Sequence, residues 1–422
     1  MSEWVDSTVA GVTEYQRAGG TPLATVPNYY GGEISFVTIE DITRSGRYLD
    51  RTERNLSAEG LRGSAAWLLK DEHVLYSMYA TVGKPIINRI SCATNQAIIA
   101  LKPNANIDLK FLYYQLLFIR PDVYKYTAQT TQSNLNARVV REIPIRYPCS
   151  RTEQARIVEV LDCFDDGIER TEALIEKRQQ IKAGLMHDLF TRGVLASGEL
   201  RPTRAAEPEL YREQSGSWFP AVWQFERLDD LALRGSGHTP NKEVAEYWNG
   251  GIKWVSLADS NRLDALYISD TELTISRRGI QNSSAVLHPA GIVVLSRDAG
   301  VGKSAITTEP MAVSQHFMCW KCDQRLDNHF LYYWLQFQKR TFENIAMGST
   351  ILTIGLPYFK KLRIACPVDL EEQRLIAARL KAADESLFAL QRRLSKLRAQ
   401  KLGLIQDLLT GHVSVSPAAV AI

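Results

Sequence analysis

Apolar positions along the chain follow two rhythms, and the change from one to the other happens twice. Through about residues 1–150 and again through 217–368, short apolar runs alternate with turn signals. Ile34-Ser35-Phe36-Val37, His73-Val74-Leu75-Tyr76 and Ala97-Ile98-Ile99-Ala100 mark the first stretch, Lys253-Trp254-Val255 and Ile292-Val293-Val294-Leu295 the second. Runs of that length predict strands. Phe111 to Ile119 and Phe330 to Phe337 predict helices with an aromatic stripe, which suits a buried core better than a stacking platform. Pro148 and Pro367 then stop the preceding strand, and a helical period takes over.

In the second of these helical stretches Ile376, Leu380, Ala383, Leu387, Leu390, Leu394 and Leu397 are spaced by alternating fours and threes. The stripe resumes at Leu404 and Leu408 after Lys401. This is a heptad seam, the pattern of a helix that pairs with another. The first stretch carries Ile157, Leu161, Phe164, Ile168, Ile175, Leu185 and Leu189 in the same register, interrupted by Thr171, Arg178 and Lys182.

Both rhythms belong to one internal repeat. Gly20-Thr21-Pro22 returns as His238-Thr239-Pro240 at a shift of 218, and Tyr30-Gly31-Gly32 returns as Trp248-Asn249-Gly250. Beyond them the shift is 219: Val82-Gly83-Lys84 with Val301-Gly302-Lys303, Phe111-Leu112-Tyr113-Tyr114 with Phe330-Leu331-Tyr332-Tyr333, and Glu153-Gln154 with Glu372-Gln373. A constant shift with a single indel signals duplication. Packing accounts for the shared Leu, Ile and Tyr, but not for the strong divergence between them; two scaffolds with different surfaces suggest two related binding tasks.

The expected fold class is therefore α+β: two β-rich recognition domains in tandem, 1–150 and 217–368, each followed by a long helix, 151–193 and 369–412. Residues 194–216 read as a Pro-, Gly- and charge-rich linker and 413–422 as a frayed tail. Pseudo-twofold symmetry would make the two helices an antiparallel coiled coil, because an isologous contact exchanges the copies. Each helix is expected to be roughly 58 Å long at 1.5 Å per residue.

Composition narrows the function. With 422 residues, 45% hydrophobic and 23% charged, the chain has the make-up of a soluble multidomain protein. A net charge of only +3 means that nucleic-acid binding would use local basic patches. No signal peptide or membrane-length apolar run is read, and six scattered cysteines fit a reducing cytoplasm. Gly300-Val301-Gly302-Lys303-Ser304 resembles the end of a phosphate loop, but Arg297 stands where its first glycine belongs. Val82-Gly83-Lys84-Pro85, its counterpart, lacks the Ser or Thr that would hold magnesium, so a strand–turn with a backbone-contacting lysine is the better reading. Cys319 and Cys322 have no second pair at zinc-ribbon spacing, and their counterparts are Ala100 and Pro103. No catalytic or metal constellation emerges, and the chain reads as non-enzymatic.

The order Trp4, Gly20-Thr21-Pro22, Ile34-Ser35-Phe36-Val37, Ala93-Thr94-Asn95-Gln96, Ser133-Asn134-Leu135, Ile143-Pro144-Ile145, Glu153-Gln154 resembles type I restriction–modification specificity subunits. The second half repeats it with Trp223, Thr239-Pro240, Ile252-Lys253-Trp254-Val255, Gly348-Ser349-Thr350, Cys366-Pro367 and Glu372-Gln373. Val313-Ser314-Gln315 and His238 depart from the pattern. The resemblance spans essentially the whole chain. It implies that each domain reads one half of a bipartite, asymmetric site in double-stranded DNA, while the helices set the spacer. It also implies two modification subunits docked on the helices, and restriction subunits that join them; S-adenosylmethionine, Mg and ATP would belong to those partners, with no cofactor in this chain. The alternative is a helical scaffold or inhibitor that binds partner helices without reading DNA.

DNA readout needs donors on loops, and phosphates need Lys, Arg and hydroxyls. The candidates are Arg44, Arg47, Lys84, Gln129, Thr131, Gln132, Ser133, Asn134 and Arg138 in the first copy. In the second they are Asn261, Arg262, Arg277, Arg297, Lys303, Ser349 and Thr350.

Overall fold

The computed structural model describes residues 3–126, 134–348 and 352–415. The chain forms two units, one of residues 1–173 with 392–422, the other of residues 174–391. Each unit therefore holds one β-rich domain, the first half of its own long helix, and the far end of the other copy's helix.

In the first unit a five-stranded sheet runs in the order β2 (Thr13–Ala18), β9 (Ile98–Pro103), β6 (Val74–Ser77), β7 (Pro85–Asn88), β4 (Tyr48–Leu49). A three-stranded sheet, β5 (Arg54–Leu56), β3 (Tyr30–Val37) and β8 (Cys92–Thr94), lies beside it, and β1 (Trp4–Thr8) pairs with β10 (Pro144–Pro148). The five-stranded sheet is covered on both faces, which is why β6 and β7 read as unbroken buried runs rather than alternating ones. Val74, Tyr76, Ile99 and Leu101 pack against the helix Leu109–Ile119 and against Ile157 and Leu161. Leu75, Ile86, Ile98 and Ala100 pack on the opposite side with Val37, Ile42 and Leu49.

The second unit repeats this plan. Its five-stranded sheet is β14 (Ala232–Ser236), β22 (Phe317–Cys322), β19 (Val293–Ser296), β20 (Ser304–Thr307) and β16 (Tyr267–Ile268). One extra strand, β18 (Leu287–His288), widens the smaller sheet to four, with β17 (Leu273–Ile275), β15 (Trp248–Val255) and β21 (Met311–Val313). The repeated segments at Tyr30 and Trp248 form the same irregularity, a register shift within β3 and within β15.

Asp108 caps the aromatic helix of the first unit by accepting from the backbone N–H of Lys110 and Phe111, and Asp327 does the same for His329 and Phe330. Phe111, Leu112, Tyr113 and Tyr114, like Phe330, Leu331, Tyr332 and Tyr333, are buried, so the aromatic stripe is core. The long helices run from Arg151 to Arg192 and from Leu370 to Leu409.

Residues 194–216 are more than a connection. β11 (Tyr211–Gln214) and β12 (Ser217–Pro220) make a hairpin that sends Tyr211 and Phe219 into the core of the second unit. Arg201 pairs with the buried Glu372, which also accepts from Trp223 Nε1 and the backbone N–H of Val194, each at 3.0 Å. Polar composition hid this segment because only a few of its residues, Val194, Leu200 and Tyr211 among them, pack inward.

A buried glutamine joins each long helix to its domain. Gln154 Oε1 accepts from the backbone N–H of Asp108 at 2.7 Å, and its Nε2 donates to the carbonyls of Asn106 and Pro148 at 2.9 Å each. Gln373 makes the same three bonds with Asp327, Arg325 and Pro367. Truncation would strand three backbone groups in each copy, among them the buried bond to the Pro148 or Pro367 carbonyl. Gln154→Ala and Gln373→Ala should each lower unfolding stability by roughly 2–4 kcal/mol, read as a shifted denaturant midpoint at unchanged slope; a shift below measurement error would contradict this role.

Candidate nucleic-acid interface

The helix ends are set by a clasp that both units share. In the first unit Asp165 receives the hydroxyl of Tyr114 at 2.7 Å and pairs with Lys401 from the other copy's helix. In the second, Asp384 receives Tyr333 at 3.0 Å and pairs with Lys182. All three positions correspond at the repeat shift of 219. Burial, reinforced by the Asp165 charge, pushes the Tyr114 hydroxyl well above its ordinary range, and burial with Asp384 does the same to Tyr333. Both tyrosines therefore stay protonated and keep donating. Within the first unit residues 392–409 run antiparallel to 151–173, as Glu172 with Arg398 and Asp165 with Lys401 show. Within the second, Lys182 meets Asp384 and Val194 meets Glu372, which is again antiparallel.

The heptad positions divide by place along the helix. Ile157, Leu161 and Leu408 are buried in the first domain's core, and Leu189, Ile376 and Leu380 in the second's, where partly buried Leu185 also packs. Leu387 is buried; Phe164, Ile168, Ile175, Leu390, Leu394, Leu397 and Leu404 are half-buried. Val158, Phe190, Ala377, Ile405 and Leu409 are buried too, although the seam pattern passes over them. They widen the stripe where a helix meets a domain as well as a helix.

Several sequence candidates for DNA contact turn out to be engaged inside the protein. Arg47, only 6% exposed, faces Asp162, Asp165, Asp166 and Glu169 from the long helix and lies 3.4 Å from the Tyr114 hydroxyl. Burial opposes its charge, but the hydrogen bonds it donates to Asp166 and Tyr114, with the charge of Asp162, raise its pKa above the ordinary arginine value. A guanidinium enclosed this way is not presented to a phosphate, and Arg47 leaves the list. Lys84 donates to the carbonyls of Thr43 and Ser45, and Lys303 to the carbonyl and hydroxyl of Ser260. Burial and nearby Arg120 lower the pKa of Lys84. Both lysines tie a turn to the neighbouring backbone, and that replaces the phosphate-contact expectation for them.

Arg297 is mostly buried, with its Nε 3.6 Å from Asp298. Arg262 is shared among Asp259, Asp270 and Glu272. Arg44 is exposed and paired with Glu53; Arg138 is exposed and paired with Glu142 at 3.2 Å. Asn261 and Arg277 are exposed, and Asn134 is half-buried. Gln129, Thr131, Gln132, Ser133, Ser349 and Thr350 lie outside the described residues.

Gly300-Val301-Gly302-Lys303 leads into the strand β20 rather than a helix, so the dipole and N–H cradle of a phosphate loop have no place to form. Cys319 and Cys322 sit three apart on β22, and an odd separation on a strand sends side chains to opposite faces. Burial pushes the Cys319 thiol up to about 12 and raises Cys322 as well, which disfavours the thiolate that a metal needs. No helix among the described residues is long and apolar enough to cross a membrane.

Comparison with known proteins places this arrangement. The family model described as "Type I restriction modification DNA specificity domain" matches twice, at residues 1–181 and 220–397. The chain is 24% identical over 362 residues to the type I restriction enzyme MjaIX specificity subunit of Methanocaldococcus jannaschii, covering 81% of this chain and 77% of that protein. It is 22% identical over 375 residues to the type I restriction enzyme HindI specificity subunit of Haemophilus influenzae, covering 74% and 80%. Among solved structures, the type I restriction-modification S subunit from M. genitalium matches in fold with a TM-score of 0.59 at 15% identity, over 96% of each chain. With a specificity-domain match on each half, and with relatives that share most of its length, the chain belongs to the type I restriction–modification specificity family, the non-catalytic DNA-recognition subunits of these systems.

Proposed function

We propose that each unit reads one half of a bipartite, asymmetric sequence in double-stranded DNA, and that the paired helices fix the unread spacer. The observation that carries this reading is the repeat itself: clasp, capping aspartate and buried glutamine recur at one shift, while the exposed loops beside them differ. A frame kept twice with its surface changed suits two targets read in one manner. Membership of the family implies DNA and methyltransferase and restriction subunits as partners. Two modification subunits docked along the helices, carrying S-adenosylmethionine, and ATP- and Mg-dependent restriction subunits beyond them, complete the proposed assembly. Arg44, Arg138, Asn261 and Arg277 remain the exposed contact candidates, together with Asn134 and the polar runs 129–133 and 349–350.

Selection from a random duplex pool, by the chain assembled with its methyltransferase subunits, should enrich two short conserved blocks separated by a fixed unspecified spacer. Absence of any enriched sequence would favour the helical scaffold instead. Inserting one heptad at matched positions in both long helices adds about 10.5 Å, so the spacer should grow by about three base pairs; an unchanged spacer would rule out the helices as its ruler.

The exposed and the engaged cations should separate in salt titrations. Arg277→Ala should weaken binding to all duplexes and reduce the slope of log affinity against log salt by about one. Lys84→Met and Lys303→Met should leave that slope unchanged and lower the thermal midpoint; a reduced slope would return them to the phosphate contacts.

A further inference from the structure

Between β6 and β7, and again between β19 and β20, the chain turns through the same uncommon backbone. Ser77 Oγ donates to the carbonyl of Tyr79 at 2.8 Å, and Ser296 Oγ to that of Asp298 at 2.7 Å. The following residue, Ala80 or Ala299, lies in the left-handed region at φ 56° or 43°. A side chain is disfavoured there, so conformational strain kept in both copies points towards use rather than accident.

A backbone ladder places each corner beside a second turn. Met78 N–H bonds the carbonyl of Ala97 and Leu135 N–H that of Met78; Arg297 with His316, and Ile354 with Arg297, repeat the pattern at 2.8–3.0 Å. On that second turn an exposed glutamine recurs, Gln96 or Gln315, whose carbonyl oxygen receives the hydroxyl of Thr21 or Thr239. The threonine reaches it because glycine precedes it closely. A Cβ on Gly19 would lie 1.9 Å from the Thr94 carbonyl oxygen, and one on Gly237 1.6 Å from that of Val313. An exposed polar pair held in place twice, amid diverged surface, needs a task common to both copies.

Within this shared frame one aromatic ring changes sides. The first copy carries Tyr79, 40% exposed, opposite the small Ala97. The second carries a buried Asp298 at the tyrosine position and His316 at the alanine position. Asp298 Oδ2 lies 2.7 Å from His316 Nδ1, which fixes the partly exposed imidazole, and His316 Nε2 is 3.4 Å from Gln315 Nε2. Either way one ring is supplied at the ladder that joins the corner to the glutamine's turn, from Tyr79 on the corner in the first copy and from His316 on the glutamine's turn in the second.

Resting on the half-site reading above, we propose that this corner is a base-reading edge of each unit. Gln96 and Gln315 make a contact common to both half-sites: the amide N–H2 and the second carbonyl lone pair match the major-groove edge of adenine. Tyr79 and His316 make the contact that differs between the halves, with Asp298 as the positioning residue for His316.

The test uses the assembled complex with its methyltransferase subunits and selection from random duplexes. Tyr79→Ala should change the enriched bases in one half-site only, and His316→Ala and Asp298→Asn in the other half-site only. Gln96→Ala and Gln315→Ala should each weaken binding to the selected duplex by about tenfold while leaving binding to random duplex unchanged. Where an alanine variant lowers the thermal midpoint, Tyr79→Leu and His316→Asn test the same positions. Unchanged preferences in both halves, or equal losses on selected and random duplex, would overturn the base-reading edge. A parent complex with no sequence preference would instead overturn the half-site reading on which it rests.

Discussion

A carboxylate held between a tyrosine and a lysine, buried in the first unit and partly buried in the second, ties the long helices to each domain. Removing a charge from water is costly unless a partner and hydrogen bonds replace the solvent, and breaking such a pair leaves the remaining charge uncompensated. Asp165 meets this requirement with Tyr114 from the domain and Lys401 from the other copy's helix; Asp384 meets it with Tyr333 and Lys182. The lysine always comes from the opposite copy. That exchange makes domain, own helix and foreign helix a single packed group within each unit. Arg47, with its ring of carboxylates, strengthens the first clasp alone; Leu266 stands at the corresponding position in the second copy.

Much of this plan is legible in the amino-acid sequence, because it depends on periodicity. Duplication, the two long helices, the aromatic core helices and the strands around Val74 and Val293 all follow from apolar spacing. The clasp does not, for a reason the pattern itself explains. Lys182 and Lys401 look like breaks in a hydrophobic stripe, and only the fold reveals that each break faces an aspartate. Arg47, Lys84 and Lys303 were equally hidden: a basic residue in a loop reads as available for phosphate, and burial against carboxylates or carbonyls is a tertiary fact. The hairpin at 211–220 escaped because its two buried aromatic residues, Tyr211 and Phe219, outweigh a polar majority in energy but not in number.

The strained corners at Ala80 and Ala299 bring these themes together. Each sits on a sheet buried on both faces, beside a turn clipped by threonine and glutamine, and each is steadied by a lysine bonded to a neighbouring strand's loop. Rigid surroundings of this kind let one residue change without moving its neighbours. Tyr79 can become Asp298 and Ala97 can become His316 while the backbone ladder beneath them stays the same. Divergence at the surface is then a change of reading, and conservation below it keeps the reading head in place.

If the two halves are equivalent frames with different reading surfaces, one domain should work in the other's position. The decisive measurement is sequence selection by a chain in which residues 3–148 are replaced by the matching stretch 222–367, assembled with its methyltransferase subunits. The account predicts that the asymmetric site becomes an inverted repeat of the second half-site with the original spacer. Retention of the parent's asymmetric sequence, or enrichment of only one half-site, would contradict it.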